Sequence, residues 1–460
     1  MSSVGELAER AVAAVRSGDG ALATASRERS LFLRFARSRP TQATAIDDLG
    51  VSVSVVRDGH VGAATTNRVD DDALRECARS AEAAAEAAAR SGGRGTYPGF
   101  PESKPARPHD RFDAATAELH PAPGGAALES AFQIAAAHGV EAHGLWTAGD
   151  VETAIASHGG ATVTDRVTDA FMKVTCIAPD ERSGWASQTT SAASQLDAAE
   201  LAESAAAKAT RAVAVRREPV KLPPGDYPVV LAAAAVGELL GWLGWTAFNG
   251  LAHAEGRGAL SGRLGQVVVA PAVNISDSPR LARTLPRAFD AEGVPKAPIA
   301  LIQDGVAAKV VHDTRSAALA GGGAKSTGHA LAAGGSTWGP MPTNLVMVGG
   351  GAADEAELCA TVERGIYVTR LWYTNALRPN ETLITGLTRD GTFLIEDGKL
   401  AAPLEDMRLT DSVLRILSGT QALTSTQHLW STGEFYGRRA ATGVVTPAIR
   451  SASMRFTGGA

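Results

Sequence analysis

Residues 229–248 (VVLAAAAVGELLGWLGWTAF) form a run of twenty residues with a single charge, Glu238. Such a run must leave water, either across a bilayer or inside a protein core, and this limits what the rest of the chain can build. Asp226 and Pro228 stand just before it, and neither a second span nor a basic flank follows. A buried helix over residues 234–248 is therefore expected, in a protein that does not associate with a membrane. Trp242, Trp245 and Phe248 are three residues apart and share one helix face, which reads as core packing. Glu238 then needs a partner, because an unpaired buried charge costs several kcal/mol; Arg257 and Arg263 are candidates.

A core around that helix needs chain length, and 460 residues allow two or three domains. A hydrophobic share of 45% with 20% charged residues is ordinary for a soluble globular protein. Residues 1–18 read as a helix. The segment 1–20, with Glu6, Glu9 and Arg10, lacks the basic start and apolar stretch of a signal peptide, so a cytoplasmic protein is expected. Alternating runs at 31–37 and 51–56 predict strands. Arg57-Asp58-Gly59 predicts a hairpin into a strand at 61–66, and Asp70 caps an alanine-rich helix at 71–90. Residues 91–111, rich in Gly and Pro, predict a loop or linker. Strands at 169–177 and 184–190, Asp197 and a helix at 198–213 then repeat the order of residues 51–90, which suggests an internal duplication.

Beyond residues 216–225 the texture changes to short β-like runs at 227–231, 266–270, 300–303, 307–311, 345–348, 366–372, 392–396 and 451–456, with a second helix at 411–417. The expected fold class is α+β. An N-terminal α/β half (1–217) precedes a β-rich C-terminal half (218–460), a curled or barrel-like sheet around a buried helix.

Several chemistries are disfavoured by the residues themselves. A net charge of -5 and a pI of about 6.1 leave no basic footprint for nucleic acid. Cys77, Cys176 and Cys359 are too few and too scattered for a disulfide framework or a zinc knuckle. His253, His312 and His329 lack ligand spacing, and His329 in Ser326-Thr327-Gly328-His329-Ala330 is expected to make a structural hydrogen bond. Residues 321–327 (GGGAKST) place Ala324 where a phosphate loop needs Gly, and no Gly-x-Ser-x-Gly elbow occurs.

Six stretches, in order along nearly the whole chain, resemble the TldD/TldE (PmbA) peptidase family. They are Arg34-Phe35-Ala36-Arg37-Ser38 with residues 51–67; residues 225–231 leading into the apolar helix; and residues 262–279 (GRLGQVVVAPAVNISDSP). The others are residues 289–295 (FDAEGVP) with 301–305 and 326–330; residues 365–372 (GIYVTRLW); and residues 393–398 (FLIEDG) with Pro403. The catalytic branch of this family carries a His-Glu-x-x-x-His motif on the helix after the Gly-Tyr strand and a Cys near the C-terminus, which together hold zinc. In this chain the matching positions are Gly237, Glu238, Leu239, Leu240, Gly241 and Trp242, and residues 434–448 contain no Cys. The resemblance thus implies the TldE/PmbA-like, non-catalytic branch: no catalytic, metal or cofactor residues in this chain, with zinc in a TldD-type partner subunit. It also implies a chamber that degrades or processes unfolded or flexible peptides, including modified peptide natural products, held as an added β-strand. Two other readings stay open from the residues, an autonomous hydrolase acting outside these motifs and a homodimeric peptide-binding scaffold.

Overall fold

The computed structural model describes residues 3–93, 95–210, 219–431 and 437–459. Ser3 and Glu6 form a capping box that starts α1 (Val4–Ala13). Three antiparallel strands follow, β1 (Gly20–Ala36), β2 (Arg39–Arg57) and β3 (His60–Thr66), with the β2–β3 turn at Asp58–Gly59. Asp70 accepts from the Ala73 amide and begins α2 (Asp71–Arg90). After an irregular linker and the short α3 (Ala114–Ala117), the order recurs as α4 (Pro121–Ala137), β4 (Glu141–Ser157), β5 (Val163–Ile177), β6 (Ser183–Thr190) and α5 (Ala198–Thr210).

The repeat is thus larger than the sequence suggested, since it includes the leading helices and the long strands β1 and β4. The six strands pair in the order β3-β2-β1-β4-β5-β6, with the first strand of each unit at the centre and the third at an edge. Gly62 in β3 and Gly184 in β6 occupy equivalent places. An added methyl would lie 2.1 Å from the Ala85 amide nitrogen in one case and 2.2 Å from the Ala205 carbonyl in the other. Each glycine lets its helix sit tightly on the edge strand. Strand alternation turns Ala21, Ala23, Ala25, Leu31 and Phe35 to one face, where both helix pairs pack. The other face receives the C-terminal half through Leu22, Ile155 and Val163 against Ala288 and Phe289.

The C-terminal half runs β7 (Gly225–Leu231), α6 (Ala233–Thr246), α7 (Gly250–Ala254), β8 (Ile275–Asp277), β9 (Ile299–Gln303), β10 (Val306–Ala307), α8 (Thr314–Ala320), β11 (Asn344–Met347) and α9 (Glu355–Ala360). It continues with β12 (Arg364–Arg378), β13 (Leu383–Glu396), β14 (Lys399–Pro403), β15 (Met407–Ser412), α10 (Val413–Ser418), β16 (Thr420–Trp430) and β17 (Gly443–Gly459). Strand β7 pairs with both β12 and β17, and the pairs β12–β13, β13–β15 and β15–β17 complete a closed ring. Closure leaves the ring's strands without free edges along their paired segments. Val229, Leu231, Ile366, Val368, Ile384 and Leu409 pack in one core with Val236, Leu239, Leu240 and Leu243 of α6.

The apolar run at 229–248 is not one helix. It splits at Ala232 into the end of β7 and the 14-residue α6, which is about 21 Å long against a hydrocarbon layer of about 30 Å. No helix among the described residues is long and apolar enough to cross a membrane. The strand expected at 266–270 is a turn, because the amides of Val268 and Val269 both go to the Gly305 carbonyl rather than into a ladder. Only Val306–Ala307 is strand where 307–311 was expected, and α10 begins after Asp411 because Ser412 caps it. Residues 211–213 of the expected helix and the boundary at 217/218 lie outside the described residues.

Candidate functional site

Strand β7 delivers the chain to α6, whose apolar sides are buried and whose remaining residues form a stripe. Ala234, Glu238, Gly241, Trp242 and Trp245 are partly exposed and recur at helical spacing. Gly237, on the buried side, lies against the ring of Trp430 from β16; an added Cβ would be 2.8 Å from that ring. The absence of a side chain at 237 is what lets the indole rest on the helix backbone.

Glu238 Oε1 accepts a hydrogen bond from the Thr374 hydroxyl of β12, and Thr374 Oγ1 in turn accepts from Trp242 Nε1 at 2.8 Å. This relay, rather than Arg257 or Arg263, partners the carboxylate; Arg257 is paired with Glu255. Burial pushes the Glu238 carboxyl up, and the bonds from Thr374 and Trp242 with the charge of Arg370 only partly offset this. Arg370 itself is paired with Asp390. The Trp242 and Trp245 rings meet edge to face at 5.6 Å, and Trp245 meets Trp338 at 5.8 Å. Of the three aromatics expected in the core, Phe248 is fully buried while Trp242 and Trp245 line the open stripe.

Within residues 237–242 only Glu238 bears a group able to bind a metal. Gly237 has no side chain, and the Trp242 nitrogen is a donor only. The residues present therefore do not fit a zinc ion. Residues 434–436 lie outside the described residues, and Arg439 beyond them turns into the N-terminal sheet, bonded to Asp169. His329 is buried beside Asp277 (3.2 Å) and Thr327 (2.9 Å), the structural role expected of it. His312 Nδ1 lies 3.2 Å from Ser316 Oγ, and His253 is on α7. Among the described residues no three His, Cys, Asp or Glu side chains are grouped to hold a metal. The glycine-rich loop at 321–327 follows α8 and leads into no helix, so it lacks the strand-loop-helix frame of a phosphate loop. Thr374, Trp430 and Trp338 were not legible as site residues, since the Thr374–Glu238 contact spans 136 residues and leaves no local pattern.

The duplicated α/β layer and the closed barrel that carries the apolar helix fall on three matched domains of one metallopeptidase family. Residues 224–458 match the PmbA/TldA metallopeptidase C-terminal domain, residues 23–85 its domain 1 and residues 111–213 its central domain. The chain belongs to this TldD/PmbA family. A metalloprotease TldD homolog of Haemophilus influenzae is 27% identical over 221 residues, covering 46% of this chain and 43% of that protein, so the match spans under half of either. TldE from Thermococcus kodakarensis shares the fold with a TM-score of 0.84 and 18% identity over 98% of this chain and 99% of that one. A candidate modulator of a DNA gyrase from Thermotoga maritima does so with a TM-score of 0.80 and 20% identity, covering 95% and 96%.

Proposed function

We propose that this chain is the non-catalytic, TldE/PmbA-like subunit of a heteromeric zinc metallopeptidase, acting in the cytoplasm beside a TldD-type subunit that carries the zinc. The pair degrades or processes unfolded or flexible peptides, modified peptide natural products among them. The observation that carries this reading is the state of α6 at positions 237–242. Position 237 has no side chain and is covered by Trp430, and the position 242 nitrogen is committed to Thr374. A peptidase of this type needs three metal ligands and an open position for water. Here the same helix offers one carboxylate, already held by a hydroxyl. The role left to the chain is to shape and line the peptide chamber. Elemental analysis of tag-free protein tests the point: the isolated chain is expected to hold no stoichiometric zinc, and about one zinc per chain would overturn the reading.

A further inference from the structure

Glu238 is not needed for closing a chamber, yet it is a costly residue to keep. Its carboxylate is partly buried on an otherwise apolar helix, and its partner is a neutral hydroxyl. The nearby cation Arg370 is engaged by Asp390, and no ion pair to Glu238 is formed among the described residues. Next to the carboxylate starts a row of indoles, Trp242, Trp245 and Trp338, with successive rings 5.6 and 5.8 Å apart. The outermost, Trp338, is 63% exposed. A desolvated carboxylate without a cation, set beside exposed aromatic faces, is complementary to a positive group on an apolar stem. A contact of the same kind occurs elsewhere on β12, where Arg389 lies over the Trp372 ring at 4.1 Å.

We propose that Glu238 and the Trp242–Trp245–Trp338 row form a subsite for the basic side chain, Lys or Arg, of a flexible peptide. The inference rests on the peptide-handling reading above and adds a preference to it. The Trp242–Thr374 relay orients the carboxylate, the cation replaces the water lost on burial, and the aliphatic stem lies along the indoles. One carboxylate is too few donors for a metal ion, and a purely apolar ligand would leave the charge uncompensated.

The test uses the full chain and two labelled unstructured peptides that differ only in a central Arg or its uncharged isostere citrulline. Fluorescence anisotropy should show the Arg peptide binding about tenfold more tightly. Glu238→Gln, which keeps an acceptor for Thr374, should abolish that preference. Trp338→Ala, at an exposed position, should weaken the Arg peptide while leaving the melting temperature in place, and it carries the test should Glu238→Gln not fold. Equal binding of the two peptides would sink the subsite and leave peptide handling standing. Binding of neither would contradict both, and a preference that survives Glu238→Gln would assign the cation to another group.

Discussion

Gly237 shows how a single missing side chain decides what a helix can carry. Because a Cβ there would stand 2.8 Å from the Trp430 ring, Gly237→His must displace an indole that packs against the main core. Overpacking of this kind costs about 1–3 kcal/mol, more than the roughly 1 kcal/mol regained by removing a glycine from a helix. Urea denaturation should therefore report a less stable variant. The double substitution Gly237→His with Trp242→His respells the motif but breaks the bond to Thr374, and no third ligand is supplied. It should show no zinc-dependent cleavage of an unfolded peptide, and turnover by that variant would mean that the site was not lost as a whole. Thr374 is the third residue of the relay. Thr374→Val strips Glu238 of its hydroxyl donor and Trp242 of its acceptor, for an expected loss of about 1–3 kcal/mol by the same measurement.

At the scale of elements, a buried carboxylate helps to tie the linker between α2 and α3 to the C-terminal half. Tyr97 donates to Glu292 Oε1 at 2.9 Å, and the Thr314 amide donates to Oε2 at 3.0 Å. Burial first, and the nearby Asp290 second, push the Glu292 carboxyl up from 4.5 to about 7. The folded protein then binds more protons than the unfolded chain between those values. The stability tied to Glu292 is full below about pH 4.5 and is lost as pH rises toward 7, by on the order of 2–3 kcal/mol. Glu292→Gln should flatten this dependence, read as a smaller difference in unfolding free energy between pH 5 and pH 8; an unchanged slope would exclude Glu292 as its source. The linker's irregularity was legible from its Gly and Pro content, as were α2, from its Asp70 cap, and the Asp58–Gly59 turn. Strand β4 was not, although it lies at the centre of the sheet. Its Glu141, His143, Asp150 and Glu152 interrupt the apolar alternation, and its strand character comes from pairing with β1 and β5. The break between β7 and α6 was legible, since a strand at 227–231 and a helix at 234–248 were expected and the structure has Gly225–Leu231 and Ala233–Thr246; only the exact turning point at Ala232 was not, because no Gly or Pro marks it.

Across the whole molecule, two buried guanidinium groups join the halves. Arg439 reaches the N-terminal sheet, with Nε and Nη2 on Asp169 at 2.9 and 2.7 Å, Nη1 on Thr147 at 2.9 Å and its amide on Glu28 at 2.6 Å. Arg111 answers from the other side, donating to the carbonyls of Leu285 and Pro286 at 3.1 and 3.2 Å. Arg439→Met removes one member of a buried pair and should cost about 3–5 kcal/mol. Calorimetry should then resolve separate transitions for the two sheets, whereas a single unshifted transition would show that Arg439 does not couple them. On the function proposed above, the joined halves form one wall of a chamber whose chemistry lies in another subunit. The most direct measurement of that claim is turnover of an unfolded peptide by the purified chain, by a zinc-bearing TldD-type paralogue, and by the two mixed. The account predicts no cleavage by this chain alone and cleavage by the mixture above either component; zinc-dependent cleavage by the chain alone would contradict it.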